Sequence, residues 1–250
     1  MDLSIKYVFS VGCSFVDGSE GLTREQLFTH KVAQQLNAKY NNYGTSGGCN
    51  DMITRRAFDY LTMTKNYWPE MLVLIGWTNH LRVELFPNEH KVENHYEMEN
   101  HWNPSYIIQD QYEQINGQEP KGKWYEEIHK FYYTKIWDKH EMVKRGLTNQ
   151  IMLQSFLQHN NIKYLMWNSL SHYRGEGLSN VPKGLADYIV NHPLQRHIDD
   201  KYWVFPKESS WEDNLKDKSF FISAFDNHPS EKGNDKITEI IMEKVNKIWD

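Results

Sequence analysis

The stretch Ile5-Lys6-Tyr7-Val8-Phe9-Ser10-Val11-Gly12-Cys13-Ser14-Phe15-Val16-Asp17-Gly18 decides how the rest of the chain is read. Ile5 to Gly12 carries the β-branched and aromatic content of a buried strand, and it runs directly into a glycine-bounded segment, GCSFVDG. Glycines on both sides permit a tight turn, so the spacing predicts a strand followed by a sharp bend with the Ser14 hydroxyl exposed at its crest. Thr23 and Gln26 form a capping-box pattern, and Leu27, Val32, Ala33 and Leu36 then recur at helical spacing, predicting a helix to about Asn37. Lys39 to Tyr43 reads as a short strand, and Ile53, Ala57, Tyr60 and Leu61 mark the buried face of a second helix. Met71 to Trp77 (MLVLIGW) has the continuous apolar character of a central parallel strand covered on both faces.

Further along, Leu147, Ile151, Phe156 and Leu157 predict a helix, Ile162 to Asn168 another strand, and Ile237, Ile240, Ile241, Val245 and Ile248 a closing amphipathic helix. This alternation predicts one α/β domain over 1–250, a doubly wound parallel sheet with helices on both faces. The pattern breaks between His80 and about Lys139, where the chain is polar and loaded with aromatics. A connection of that length is expected to have structure or function of its own, and 81–139 reads as a lid or cap insertion. A second irregular region, 169–219, reads as the opposite wall.

The 250 residues are 39% hydrophobic and 24% charged, a globular composition long enough to bury a core. A formal net charge of −5 gives no basic footprint for phosphate backbones, so no nucleic-acid partner is expected. No membrane partner is expected either, because the most apolar run, Met71 to Trp77, falls far short of the roughly 18 residues needed to span a bilayer. The start MDLSIKYVFS lacks the features of an export signal, which with only Cys13 and Cys49 points to a reducing, cytoplasmic setting. The two cysteines lie on the loops that flank Ser14 and are expected to be reduced, partly buried thiols.

In open α/β sheets ligands bind beyond the carboxyl ends of the strands, so the residues just past each strand are the candidate site. After the first strand stands Ser14, able to attack a carbonyl. After the second comes Asn42-Tyr43-Gly44-Thr45-Ser46-Gly47-Gly48, whose backbone N–H groups suit a developing oxyanion. After the third comes Gly76-Trp77-Thr78-Asn79, with a side-chain amide. Before the last helix, Asp226-Asn227-His228-Pro229 supplies a base with a carboxylate two residues upstream. Nucleophile, base, orienting carboxylate and oxyanion donors are the parts of acyl transfer through a covalent intermediate.

These residues resemble the SGNH (GDSL-like) hydrolases, a family named for Ser, Gly, Asn and His in chain order. The resemblance puts Ser14 in the first motif, Gly47 in the N-x-G-x-S-G of the second, Asn79 in the G-x-x-N of the third and His228 in the last. It implies a flavodoxin-like three-layer sandwich, here with a large aromatic-rich insertion. It also implies an oxyanion hole made by the Ser14 N–H, the Gly47 N–H and the Asn79 amide, with no metal or organic cofactor. Cys13 replaces the Asp of G-D-S, and the usual D-x-x-H is altered. Phe225 stands at that Asp position and Asp226 lies one residue nearer, a D-x-H spacing resembling alginate-type O-acetyltransferases. Two arrangements follow: a Ser14–His228–Asp226 triad, or a Ser–His dyad held by a backbone carbonyl.

Trp77, Trp102, Trp124, Tyr125 and Trp203 are candidates for stacking on sugar rings, with Trp77 as the substrate-binding residue nearest the site and an O-acetylated carbohydrate as the expected glycan or small-molecule ester. GCSF and D-x-HPSxxGN also resemble SGNH-like proteins common in tailed-phage genomes. The rival expectation is therefore a non-catalytic carbohydrate-binding or structural module of a virion. Capping of the last helix by Asp226 or Ser230 is the bland alternative for that motif. His80, His90, His95 and His101 lie among Glu89, Glu93, Glu97 and Glu99 without metal-ligand spacing, so a solvated face is expected rather than a metal site. The sequence leaves the oligomeric state open.

Overall fold

The computed structural model describes residues 4–18, 21–85, 106–108, 131–170, 183–215, 217–223 and 226–249. Most of 81–139, with Trp102, Trp124 and Tyr125, and the ring of Phe225 lie outside these residues. Four parallel strands form the sheet: β1 (Tyr7–Gly12), β2 (Lys39–Gly44), β3 (Met71–Trp77) and β6 (Lys163–Asn168), in the order β2-β1-β3-β6. Two short strands, β4 (Val83–Leu85) and β5 (Tyr106–Ile108), pair antiparallel within the expected insertion, with Val83 opposite Ile108.

Alternation along β3 divides the core into two. Leu72 and Leu74 face a layer holding α2 (Phe28–Gln35), the short α6 (Trp211–Asn214) and the closing helix α7 (Glu231–Trp249), through Phe28, Val32, Trp211, Ile237, Ile241 and Val245. Val73, Ile75 and Trp77 face the other layer, where α3 (Asn50–Met63), α4 (Lys139–His159) and α5 (Lys183–Val190) contribute Ile53, Leu61, Leu147, Leu157 and Ile189. This is an α/β/α three-layer sandwich, as β3's apolar run on both faces requires. No helix among the described residues is long and apolar enough to cross a membrane.

The expected helix from Thr23 to Asn37 divides in two. Thr23 and Gln26 do form a reciprocal capping box, but it caps a 3₁₀ turn, Arg24–Gln26, and α2 begins only after Leu27, whose backbone is extended at φ −71° and ψ 136°. Leu27 is buried, and a Cβ on Gly18 would stand 2.7 Å from its side chain, so the break at Leu27 lets it pack beneath the nucleophile turn.

The strand ends position the site. Gly12 is in register with Gly44 on one side and Gly76 on the other, so three glycines lie side by side across β2, β1 and β3. The four-residue helix α1 (Ser14–Asp17) folds back over this row. A Cβ on Gly44 would stand 2.4 Å from Asp17 N, and one on Gly76 would stand 2.8 Å from Val16 Cγ2. The row is glycine because the turn carrying Ser14 occupies the volume side chains would need.

Candidate active site

Ser14 is the first residue of α1, immediately past β1. The early N–H groups of a helix have no partners within it, and those of Ser14 and Phe15 meet no acceptor among the described residues, whereas Val16 and Asp17 donate back to Cys13 O. Asn42 holds the turn from the neighbouring strand. Its Nδ2 donates to Val16 O at 2.8 Å while its Oδ1 accepts from Gly44 N at 2.8 Å and Ser10 Oγ at 3.1 Å. Asp17 fastens the next loop in turn, its Oδ2 accepting the Ser46 N–H at 2.9 Å.

Gly47 follows with φ at +75°, a left-handed conformation that favours glycine, and its N–H has no acceptor among the described residues. On the third loop Asn79 Oδ1 accepts from Leu81 N at 2.9 Å, which fixes the carboxamide and leaves Nδ2 without an acceptor among the described residues. Ser14 N–H, Gly47 N–H and Asn79 Nδ2 are thus uncommitted donors leaving adjacent strand ends.

The histidine arrives from the far end of the chain. Ile222 N donates to His228 O at 3.0 Å, Phe221 bridges Pro229, and Ser230 N donates to Phe220 O at 2.8 Å, so His228 sits on a narrow loop stapled to the start of α7. Ser230 Oγ accepts from Gly233 N at 3.2 Å, so Ser230 does the helix capping and leaves Asp226 for the ring. Asn234, 2% exposed, anchors this end of α7, accepting from Phe28 N at 2.8 Å and donating to Pro229 O and Ser230 O.

These elements bring His228 Nε2 to 2.7 Å from Ser14 Oγ and His228 Nδ1 to 2.6 Å from Asp226 Oδ1. Asp226 Oδ1 also accepts the His228 N–H at 3.0 Å. The network assigns the tautomer with hydrogen on Nδ1, donated to the carboxylate, and Nε2 accepting from the serine hydroxyl. Phe15 lies against the imidazole with centroids 4.7 Å apart and, being 4% exposed, shields one side of the ring. The chain thus joins residues 214 positions apart into a hydrogen-bonded Ser–His–Asp relay, an arrangement able to activate a serine hydroxyl.

Other expected residues fall elsewhere. Trp77 does not face a substrate: as the last residue of β3 it is 0% exposed in the α3/α4 core, which is where an inward position on a doubly covered strand must go. Trp203 is 2% exposed and bridges Met166, extending the sheet instead of offering a ring face. Cys13 and Cys49 are both fully buried thiols. His80 is no part of a solvated face. It is 3% exposed, burial pulls its pKa down to about 4, and α4 passes so close that a Cβ on Gly146 would collide with its ring. His90, His95 and His101 lie outside the described residues. Among the described residues no three His, Cys, Asp or Glu side chains are grouped to hold a metal ion. Asn42, Phe15 and Asn234 are the contributors that sequence reasoning missed. Asn42 stood within N-x-G-x-S-G, but nothing local signalled the other two.

The parallel sheet flanked by helices on both faces is a fold that the chain shares with solved esterases and G-D-S-L proteins. Among solved structures, the chain is similar to a mutant of Axe2, an acetyl-xylooligosaccharide esterase from Geobacillus Stearmophilus. Identity is 12%, coverage 100% of this chain and 98% of that one, and the TM-score 0.52. It is also similar to a protein attributed to the lipolytic G-D-S-L family from Desulfitobacterium hafniense DCB-2 (12% identity, 96% and 99% coverage, TM-score 0.52). A third is TesA (10%, 96% and 98%, 0.51). At these identities the likeness is one of fold. By sequence the chain belongs to a family of unknown function, DUF6071, whose model matches residues 18–177. That span contains Gly47 and Asn79 but neither Ser14 nor His228. No curated protein matches the chain by sequence.

Proposed function

We propose that the protein is a serine esterase or acyltransferase that works through an acyl group carried on Ser14. The observation that carries this reading is the 2.7 Å contact between Ser14 Oγ and His228 Nε2, with Asp226 at 2.6 Å behind the ring. In the first half-reaction Ser14 Oγ attacks the ester carbonyl and its proton passes to His228 Nε2. The tetrahedral intermediate's negative oxygen is met by the N–H groups of Ser14 and Gly47 and the Asn79 amide. The bond to the leaving alkoxide breaks as His228 returns the proton to it. Water or an acceptor hydroxyl then loses its proton to His228 and attacks the acyl carbon, and Ser14 Oγ recovers the proton on release. Asp226 stabilises the imidazolium formed twice in the cycle.

An O-acetylated carbohydrate is the substrate class we favour. Support comes from the aromatic wealth of the chain, nine Trp, fifteen Tyr and eleven Phe, and from the fold shared with an acetyl-xylooligosaccharide esterase. Hydrolysis of p-nitrophenyl acetate and of an acetylated xylooligosaccharide by wild type and Ser14→Ala tests the reading. Turnover of both esters that disappears in Ser14→Ala supports it. Equal rates in the two proteins remove Ser14 from the chemistry, and glycan binding without turnover favours a non-catalytic module on the same scaffold.

A further inference from the structure

Asn50 is the first residue of α3, just past the loop that carries Gly47, and it is 3% exposed. Its carboxamide faces one residue of the next loop squarely: Oδ1 accepts from Thr78 N at 2.9 Å and Nδ2 donates to Thr78 O at 3.1 Å. A side chain thus pairs with both backbone groups of Thr78 as a neighbouring strand would, at the point where β3 has ended. Nδ2 also lies 3.2 Å from His80 Nδ1, a ring that burial keeps uncharged. A second tie joins the same loops, because Arg82 donates Nη1 to Gly48 O at 3.2 Å and its own N–H to Asn79 O at 3.3 Å. Asn79 therefore sits between two anchors, Thr78 and Arg82, that both fasten it to the Gly47 loop.

We propose that Asn50 is a positioning residue that sets the spacing of the Gly47 N–H and the Asn79 amide, so that the two loops present one oxyanion hole. The inference rests on the esterase reading. Oxyanion donors act only when held about 2.7–3.1 Å from the charge, and misplacement by about 1 Å costs on the order of 10²-fold. Asparagine suits the position because it offers one acceptor and one donor in a plane, matching a peptide's N–H and C=O. An aspartate would keep the bond from Thr78 N and set a carboxylate oxygen against Thr78 O.

A double-mutant cycle with acetyl ester turnover tests this. Asn50→Ala is expected to lower kcat about 10- to 100-fold with KM changed less than about 3-fold, and to cost at least about five times less in an Asn79→Ala background. Thermal unfolding midpoints are measured alongside. The same factor in both backgrounds overturns the proposal and returns Asn50 to a structural role. If Asn50→Ala fails to fold, Asn50→Asp, of nearly the same volume, runs through the same cycle with the same two outcomes. Wild-type protein without Ser14-dependent turnover overturns the esterase reading and this inference together, whereas active wild type with an additive cycle overturns this inference alone.

Discussion

One carboxylate oxygen, Asp226 Oδ1, holds both the Nδ1 and the backbone N of His228, at 2.6 and 3.0 Å. A D-x-H spacing therefore suffices: the residue two positions upstream turns back on the ring and fixes its tautomer, and of the two arrangements open to the sequence the geometry is that of a triad. Asp226→Asn retains the shape but cannot accept both N–H groups through an anion. It is expected to lower kcat by about 10² with the fold intact, the modest end of the range for such losses because the Asp226 side chain is 42% exposed. Steady-state kinetics checks this, and undiminished turnover would mean that the backbone alone orients His228.

Asn79 has its Oδ1 committed to Leu81 N while its Nδ2 meets no acceptor among the described residues, which suits it to the oxyanion in the proposed mechanism. Asn79→Ala is expected to lower kcat by about 10²–10³ with KM nearly unchanged, the signature of an interaction made in the transition state. A rise in KM with kcat intact would assign the amide to ground-state binding instead.

The glycine row makes a stability prediction. A Cβ at Gly44 meets the backbone of Asp17 and Val16 at 2.4 to 2.8 Å, and backbone cannot step aside as a flexible side chain does. Gly44→Ala is expected to cost about 1–3 kcal/mol and to slow turnover by displacing α1. Gly184→Ala, in the helix α5 with open space around it, is expected to be neutral or to stabilise by about 0.5–1 kcal/mol. Denaturant midpoints of the two variants read the contrast, and equal midpoints would show that the Ser14 turn is not packed on the strand ends.

His80 links stability to pH. Its pKa falls from 6.5 in the unfolded chain to about 4 in the fold, so the unfolded state binds more protons between those values. The stabilising contribution is complete above about pH 6.5 and is lost as pH falls toward 4, amounting to on the order of 3 kcal/mol in total. The gap in unfolding free energy between wild type and His80→Gln should change by on the order of 3 kcal/mol between pH 7 and 4, with wild type losing the more as pH falls. Parallel curves would show that the ring is not held neutral.

Much of this architecture is legible in the sequence. The strands at Met71–Trp77 and Lys163–Asn168 and the closing helix declare themselves through period and composition, because each buries a whole face or stripe. Ser14, Asn79, Asp226 and His228 stand just past strand ends or before the last helix, where such a sheet gathers its ligands, whereas Gly47 is singled out within its loop by the resemblance to the SGNH hydrolases. The break at Leu27 was hidden because its apolar spacing continues the helical pattern while its backbone is extended. Trp77 and Trp203 were misplaced because aromatic rings serve cores and sugars alike, and composition does not separate the two. Asn234 and Asn50 act on backbone groups far away in sequence, Phe28 N in one case and Thr78 in the other, so no local pattern announces them.

In the esterase reading Ser14 is a nucleophile activated by His228. Intact-mass measurement after incubation with a fluorophosphonate tests it most directly, with peptide mapping to locate the adduct. One phosphonyl group per chain on Ser14 in wild type, slowed at least about 100-fold in His228→Ala and absent in Ser14→Ala, is the predicted result. A wild-type protein that remains unmodified, or that reacts equally well without the histidine, would contradict it.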